Sequence, residues 1–250
     1  MIALITGATA GFGKATAELF AANGWHLILC GRRKVRLDLL ERQLKEKYNI
    51  EVTSLAFDIR NNDEVKKAIS SLSGKWTAID LLVNNAGLAA GLSTIQEGSL
   101  DDWEQMIDTN VKGLLYMTRC VAPMMVANKK GHIINIGSIA GKEVYANGNV
   151  YCATKHAVDA LTKAMRIDLL SHNIRVTQIA PGMAETEFSI VRFKGDDERA
   201  KAVYKGLEPL HAEDIAETIW WVANRPPHVN INDIVIMPTA QANSTTVIRK

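Results

Sequence analysis

The chain lacks the long apolar runs of a membrane protein. Although 47% of its 250 residues are hydrophobic, no stretch approaches the roughly 20 consecutive apolar residues that a bilayer-spanning helix requires. The first residues lead directly into a predicted strand and turn, so we expect no signal peptide. We therefore expect a globular protein with no membrane partner.

Cysteine is scarce. The 3 cysteines, Cys30, Cys120 and Cys152, are odd in number and lack the spacing of a metal site. This usage fits a reduced, cytoplasmic setting and predicts no bound metal. Cys152 stands beside Tyr151 and could be taken for a nucleophile, but a small packing residue is the simpler interpretation.

The chain also lacks a strong charge of one sign. A net charge of +2 is too small to indicate a nucleic-acid partner. Linkers, internal repeats and low-complexity stretches are missing as well, so residues 1–250 are predicted to form a single domain. That length is sufficient for one substantial hydrophobic core.

What the chain has is a regular alternation of short apolar runs and longer helical patterns. This alternation predicts an α/β fold, a Rossmann-type doubly wound parallel sheet of about seven strands. Strands are predicted at Ile2–Thr6, His26–Cys30, Glu51–Phe57, Leu81–Val83, His132–Gly137, Arg175–Ile179 and Asp233–Met237. Helices are predicted near Gly11–Asn23, Val35–Tyr48, Asn61–Leu72, Leu100–Asn128, Tyr151–Leu170 and Glu213–Asn224.

One segment interrupts the alternation. Residues 183–210 are polar and charged, and they separate the sixth predicted strand from the last helix. Long excursions in compact domains are often lids or binding loops. Because this one follows the carboxyl end of a strand, where such sheets bind ligands, we expect it to be a substrate lid.

A glycine cluster follows the first predicted strand. Gly7, Gly11 and Gly13 are spaced G-x3-G-x-G, which differs from the G-x-G-x-x-G of other dinucleotide folds. Glycine permits a tight turn and close approach of the backbone to a pyrophosphate at a helix N-terminus. A merely flexible turn is the alternative, but the position between strand and helix favours a nucleotide site.

The end of the second strand indicates which cofactor would bind. An acidic residue there would favour NAD by binding the ribose 2′-hydroxyl, but the chain reads Cys30-Gly31-Arg32-Arg33. Two arginines suit a 2′-phosphate, which guanidinium groups bind through charge-assisted hydrogen bonds. The alternative is that they only begin a solvated helix. The sequence predicts NADP.

Tyr151 and Lys155 are four residues apart and so lie on one face of a helix, and Ser138 stands upstream at a strand end. A nearby cation favours the phenolate form of a tyrosine, and a serine hydroxyl could hold a substrate oxygen. The three residues predict proton transfer between an alcohol and a carbonyl, with a cofactor supplying the hydride. With 5 tyrosines in the chain, the pair alone could arise by chance.

In this order, together with Asn84-Asn85-Ala86-Gly87, Asn110 and Pro181-Gly182, these motifs resemble the short-chain dehydrogenase/reductase family over nearly the whole chain. The resemblance implies a catalytic tetrad of Asn110, Ser138, Tyr151 and Lys155. Tyr151 would be the acid and base, Ser138 would hold the substrate oxygen, Lys155 would bind the nicotinamide ribose and lower the pKa of the phenol, and Asn110 would position a water. It implies a cofactor site of Gly7, Ala8, Thr9, Gly11, Phe12, Gly13, Arg32, Arg33, Asp58, Ile59, Asn85, Ala86, Gly87, Tyr151, Lys155, Pro181, Gly182 and Thr186.

Two of these assignments have simpler alternatives. Asn84 and Asn85 could only turn the end of a strand. Asp58 could be an ordinary cap of the following helix.

Four further segments, at 106–110, 132–138, 187–196 and 228–232, resemble a subgroup of the family, the NADP-dependent 3-hydroxy acid dehydrogenases that act on serine, allo-threonine and related compounds. A carboxylate substrate needs a positive or donor-rich group, for which Arg192 and Lys194 are candidates. Ser138 and Tyr151 would contact the substrate at its reacting oxygen. Lid surface charge or subunit contact is the alternative role of these two cations. The family resemblance also implies a homotetramer.

Two other functions remain open at this point. The first is a broad NADPH-dependent carbonyl or 3-oxoacyl reductase, because the shape of the lid sets the substrate range. The second is a non-catalytic NADP-binding sensor, which would need none of the tetrad residues. Fold alone does not decide between them.

Overall fold

The computed structural model describes residues 1–250 and contains one sheet of seven parallel strands in the order β3-β2-β1-β4-β5-β6-β7. This is the doubly wound arrangement that the sequence predicts, and strand order reverses between β1 and β4. The strands are β1 (Ile2–Thr6), β2 (His26–Gly31), β3 (Val52–Ala56), β4 (Leu81–Asn84), β5 (Gly131–Ile136), β6 (Ile174–Pro181) and β7 (Asp233–Ile236).

Nine α-helices flank or extend from the sheet. They are α1 (Gly11–Ala22), α2 (Lys34–Tyr48), α3 (Asn62–Ser70), α4 (Leu100–Ile107), α5 (Leu114–Asn128), α6 (Asn149–Asp168), α7 (Glu187–Arg192), α8 (Asp197–Ala202) and α9 (Ala212–Ala223). None of the helices is long and apolar enough to cross a membrane.

Two apolar cores lie on opposite faces of the sheet, because successive side chains of a strand point to opposite sides. In β1, Ala3 and Ile5 face the core shared with α1, α2 and α9. Ile2 and Leu4 face the core shared with α3, α5 and α6. Burial on both faces explains why β1 is apolar throughout rather than alternating.

The predicted helix Leu100–Asn128 is wrong as a single element. A π-helix at Asp108–Gly113 separates α4 from α5. Close packing explains part of the distortion: a Cβ added to Gly113 would come within 3.0 Å of Ile59. Inside this segment the Asn110 side chain bonds the backbone of Leu88 instead of facing solvent. Single π turns inside helices occur often at functional sites.

The segment 183–210 is more ordered than a plain loop, because α7 and α8 lie within it. Thr186 caps α7 by accepting a hydrogen bond from the amide of Phe188, and Asp196 caps α8 through the amide of Arg199. Each helix is short enough to have escaped a search for periodic apolar residues. The segment begins directly after β6, at the edge of the sheet where the other strand ends also gather.

Candidate active site

A cavity of about 500 Å³ lies at the carboxyl ends of the strands, beside the position where strand order reverses. Doubly wound sheets bind their ligands at this switch point. One end of the cavity is bordered by Arg32 and Arg33 after β2, and the other by Tyr151 of α6 and Arg192 of α7. The cavity therefore joins the predicted nucleotide and substrate sites.

The glycine turn shapes the wall nearest β1. Gly7 and Gly11 have φ values of +65° and +49°, a region that side chains other than glycine rarely adopt. A Cβ at Gly13 would overlap the carbonyl oxygen of Gly7. The N-cap Ala10 offers no side-chain cap, and the first turn of α1 has no acidic residue. The free amides of this helix start suit a phosphate.

The arginines after β2 reach the cavity, but they are also engaged within the protein. Arg33 donates to the Thr9 hydroxyl from Nε at 3.0 Å and from Nη2 at 2.7 Å. Its Nη1 donates to Glu187 of α7 at 2.8 Å, and Arg36 donates to the same carboxylate at 2.8 Å. No carboxylate stands at the end of β2. The carboxylate that pairs with Arg33 and Arg36 belongs to Glu187 of the lid segment.

The hydrogen bonds of Asp58 and Asn85 bear on their simpler alternative roles, a helix cap for Asp58 and a strand-end turn for Asn85. Asn61, not Asp58, caps α3; Asp58 instead accepts hydrogen bonds from Arg60 and borders the cavity. Asn85 turns the end of β4 by donating to the carbonyl of Thr6 at 2.8 Å, and it lines the cavity as well. Asn84 is buried and makes its contacts inside the core with Thr118 and Asn135.

The four predicted tetrad residues converge near the end of β5. Lys155 donates from Nζ to the carbonyl of Ile136 at 2.9 Å, and Nζ lies 6.0 Å from the centre of the Tyr151 ring. Ser138 accepts from the amide of Ala140 at 3.1 Å, which fixes the hydroxyl at the cavity wall. Asn110 lies behind the wall and donates to the carbonyl of Leu88 and to Thr154.

Burial dominates the protonation of the two titratable groups. It raises the pKa of the Tyr151 phenol, and the nearby Tyr145 adds to the rise, whereas a hydrogen bond from Ser138 and the positive charge of Arg192 lower it. Burial lowers the pKa of Lys155 to about 8. The expectation that Lys155 lowers the pKa of the phenol stays a prediction; in this structure its ammonium group donates to the carbonyl of Ile136.

Arg192 of α7 lies at the substrate end of the cavity. Its Nη2 donates to the Tyr145 hydroxyl at 2.8 Å and its Nε to the carbonyl of Gly91 at 3.4 Å. The guanidinium carbon lies 5.6 Å from the centre of the Tyr151 ring. The Phe188 ring packs edge-on against Tyr151 with 5.7 Å between ring centres.

Lys194 does not line this cavity, so the structure gives no support to its prediction as a substrate residue. Its side chain is 65% exposed and pairs with Asp102 at 3.0 Å. The left-handed backbone at Lys194, with φ of +55°, follows the end of α7 and places the residue outside the cavity lining.

The chain is similar to known proteins over nearly its whole length. The profile of the short chain dehydrogenase family matches residues 1–197. The chain belongs to this family. Its predicted family and seven-stranded fold are therefore both confirmed.

Several relatives of this short-chain dehydrogenase share most of their length with it. It is 51% identical to the NADP-dependent 3-hydroxy acid dehydrogenase of Salmonella typhi over 97% of this chain and 96% of that one. It is 44% identical to the serine 3-dehydrogenase of Agrobacterium fabrum over 96% and 94%. Its fold matches the closed form of a serine dehydrogenase complexed with NADP+, with a TM-score of 0.93, 47% identity and complete coverage of both chains.

Most residues predicted to bind the cofactor of this short-chain dehydrogenase line the one cavity. They are Gly7, Thr9, Gly11, Phe12, Arg32, Arg33, Asp58, Ile59, Asn85, Ala86, Gly87, Tyr151, Lys155, Pro181, Gly182 and Thr186. Ala8 and Gly13 do not line it. Ala8 is enclosed in the core beneath the turn, and Gly13 packs against Gly7, so both support the turn from behind.

Other cavity residues of this dehydrogenase were not predicted individually. Tyr145, Glu187, Phe188 and Tyr204 come from the loop before α6 and from the lid, whereas Gln241 and Ser244 come from the C-terminal tail. Gln241 is buried and accepts a hydrogen bond from the amide of Met183. No motif or spacing in the sequence signals the tail residues, because only the folding back of the chain brings them to the site.

Proposed function

We propose that the chain is an NADP-dependent oxidoreductase that transfers a hydride between the cofactor and C3 of small 3-hydroxy acids. Serine, allo-threonine and 3-hydroxypropionate represent this substrate class. The observation that carries the proposal is Arg192, a guanidinium group that forms no ion pair within the chain and lies 5.6 Å from the Tyr151 ring centre.

The position of Arg192 suits a carboxylate two carbons from the reacting hydroxyl. C1 and C3 of a 3-hydroxy acid lie about 2.5 Å apart, given carbon–carbon bonds of about 1.5 Å. A carboxylate bound by the guanidinium could therefore leave the C3 oxygen within reach of the Tyr151 hydroxyl. Tyr145 and Gly91 occupy one Nη2 hydrogen and the Nε hydrogen, so other N–H groups of Arg192 remain for a substrate.

The residues around the cavity fit NADP. The uncapped start of α1 suits the pyrophosphate, and Arg32 and Arg33 border the place where a ribose 2′-phosphate would lie. The names of the Salmonella typhi relative and of the serine dehydrogenase structure both specify NADP, which supports the cofactor prediction. When bound, this cofactor would supply or accept the hydride.

The side chains would handle the proton. In the reductive direction, Tyr151 would donate its proton to the carbonyl oxygen, and burial keeps that proton bound by raising the pKa of the phenol. In the oxidative direction, the deprotonated Tyr151 would accept the proton of the substrate hydroxyl. Ser138 would hold the substrate oxygen, and Lys155 would bind the nicotinamide ribose.

Asn110 would act by positioning. Its side-chain oxygen accepts from the backbone N–H of Leu88, and its side-chain nitrogen donates to the backbone carbonyl of Leu88, both at 2.8 Å. These two bonds fix the backbone segment that follows Gly87. The Oδ1 of Asn110 also lies near Gly87, where an added Cβ would be 3.2 Å away. This arrangement supports the role implied by the family resemblance, in which Asn110 positions a water of the proton relay.

Residues 183–210 would act as the substrate lid. The amide of Gly91 donates to the carbonyl of Arg192 at 3.0 Å, which joins the lid to the loop after β4. Tyr204 bonds Ser189 at 2.6 Å and the carbonyl of Ala184 at 2.8 Å, which links both ends of the lid. These contacts would close the cavity over a substrate and hold Arg192 in place.

A broad carbonyl reductase is the second candidate. Phe188, Val191 and Val203 also line the cavity and would suit an uncharged, apolar carbonyl compound. A non-catalytic sensor is less consistent with the convergence of the four predicted tetrad residues at one place.

A steady-state screen with NADP separates these functions. Serine, allo-threonine, 3-hydroxyisobutyrate and 3-hydroxypropionate are compared with simple alcohols and with diketone reduction by NADPH. Turnover that favours the acids supports the proposal. Turnover that favours uncharged compounds supports the reductase, and no turnover at all supports the sensor. Repeating the best reaction with NAD tests the cofactor, and a preference for NAD would contradict it.

The homotetramer and the cytoplasmic location also stay predictions. Ile167 at the end of α6 and Leu170 just after it are 75% and 74% exposed and would be available for a contact between subunits. Light scattering coupled to gel filtration measures the mass, for which the prediction is four times 27.5 kDa.

A further inference from the structure

The carboxylate of Glu187 connects the lid to the arginines at the adenosine end of the cavity. It stands at the first position of α7, and its two oxygens accept hydrogen bonds from Arg33 and Arg36, each at 2.8 Å. Both ion pairs join positions about 150 residues apart in the chain. These contacts fasten the start of the lid to the two arginines, so a change in the partners of the arginines would also affect the lid.

Glu187 occupies hydrogen-bond donors that a ribose 2′-phosphate would also use. Arg33 commits Nε and one Nη2 hydrogen to Thr9 and one Nη1 hydrogen to Glu187, which leaves two of its five N–H groups. Arg36 has no other ion-pair partner than Glu187. A phosphate that approached Arg33 would also face the negative charge of this carboxylate.

Resting on the proposed NADP dependence, we propose that Glu187 competes with the 2′-phosphate of the cofactor for Arg33, which lines the cavity, so that Glu187 sets the affinity for the phosphate and the phosphate loosens the start of the lid. The two effects are one coupling. If the ion pairs of Glu187 weaken phosphate binding, phosphate binding must weaken those ion pairs by the same factor.

The first test measures binding by titration calorimetry, using adenosine 2′,5′-bisphosphate and adenosine 5′-monophosphate as probes. Glu187→Gln keeps the size of the side chain and removes its charge. This variant should bind the bisphosphate about fivefold more tightly than the wild type, the effect expected for one unit charge at close range in a water-like dielectric. Binding of the monophosphate should change little.

Glu185→Gln is the matched control. Glu185 lies two residues away, is exposed, and forms no ion pair. Its variant should bind both probes as the wild type does. If Glu187→Gln behaves like this control, or binds the bisphosphate more weakly, competition is overturned. If the wild type and Glu187→Gln both fail to distinguish the two probes, the NADP assignment itself fails, and the competition fails with it.

The second test follows the lid directly. Hydrogen–deuterium exchange of peptides covering residues 187–192 is measured in the wild type with each probe. The bisphosphate should speed exchange there and the monophosphate should not. In Glu187→Gln, exchange should already be fast and should not respond to the bisphosphate. Protection of these peptides by the bisphosphate in the wild type would contradict the coupling.

Discussion

The guanidinium carbon of Arg192 lies 5.6 Å from the centre of the Tyr151 ring, on the wall of the cavity that also holds Ser138 and Lys155. The relationship has two consequences. The positive charge favours the phenolate form of Tyr151, and under the proposed function it would hold a substrate carboxylate beside the reacting oxygen. In that proposal Arg192 links the chemistry of the family to one class of substrate.

The first prediction concerns pH. Oxidation requires deprotonated Tyr151, so kcat/KM for an alcohol should rise with pH and level off above the pKa of the phenol. Because the Arg192 charge lowers that pKa, Arg192→Met should move the rise to higher pH. The substrate should be an uncharged ester of 3-hydroxybutyrate, because an ester has no carboxylate for Arg192 to bind.

Lys194→Met is the control for that profile. Lys194 pairs with Asp102 outside the cavity, so its loss should leave the pH dependence as in the wild type. A profile of Arg192→Met that matches the wild type would show that the charge does not act on Tyr151.

The second prediction is that Tyr151→Phe removes turnover and spares cofactor binding. The ring would keep its contact with Phe188, whereas the hydroxyl that moves the proton would be gone. A positioned acid and base contributes about 100- to 10,000-fold to a rate, so kcat should fall by at least about 100-fold. NADPH fluorescence titration measures the binding. Retained turnover would remove Tyr151 from its proposed role.

The third prediction concerns the π-helix. Asn110→Ala would leave the buried amide and carbonyl of Leu88 without partners, which should cost about 2–6 kcal/mol of stability, given about 1–3 kcal/mol for each unpaired buried group. Thr109→Val is the matched control, because the Thr109 hydroxyl is buried in the same segment and has no partner. That change should be close to neutral. Urea unfolding measures both, and equal losses would contradict the account.

The fourth prediction concerns acid stability and His132 of β5. The hydroxyl of Thr177 donates to the carbonyl of Ile231 at 2.6 Å, so His132 must donate to Thr177 from Nε2. Nδ1 is then unprotonated, buried and without a partner. Burial and the nearby charge of Arg175 lower the pKa of His132 to about 3.

A lowered pKa in the folded state gives stability that is present above the unfolded value of about 6.5 and lost as the pH falls toward 3. Between pH 7 and 5 this group should therefore cost the wild type about 2 kcal/mol. His132→Asn should be less stable at pH 7 but should lose less on acidification. His228→Asn, at an exposed position, should follow the wild type. Urea unfolding at both pH values decides, and parallel losses in all three proteins would refute the assignment.

The fold could be predicted from the sequence because its two main signals, the apolar run of β1 and the glycine turn after it, each lie within a few consecutive residues. Burial of β1 on both faces makes it a continuous apolar run, and the positive φ values at Gly7 and Gly11 demand glycine. Tyr151 and Lys155 are neighbours because a helix brings every fourth residue to one face. The strand limits were predicted to within one or two residues at most ends.

The remaining features depend on contacts between distant segments. Within the π-helix, the side chain of Asn110 bonds Leu88 across a 22-residue separation, and no helix propensity reports such a bond. Glu187 meets Arg33 only when the lid folds over the glycine turn. The charge of Lys194 suggested a contact with the substrate. After the turn that follows α7, however, this side chain pairs with Asp102.

The most direct test compares an acid with its uncharged counterpart. The kcat/KM for oxidation of 3-hydroxypropionate and of 3-hydroxypropionamide by NADP is measured in the wild type, Arg192→Met and Lys194→Met. A charge-assisted hydrogen bond of about 1.5–3 kcal/mol should give the wild type a preference of roughly 10- to 150-fold for the acid. Arg192→Met should lose that preference, because only the acid loses a binding partner, and Lys194→Met should keep it. A preference for the acid that survives in Arg192→Met would contradict the proposed function.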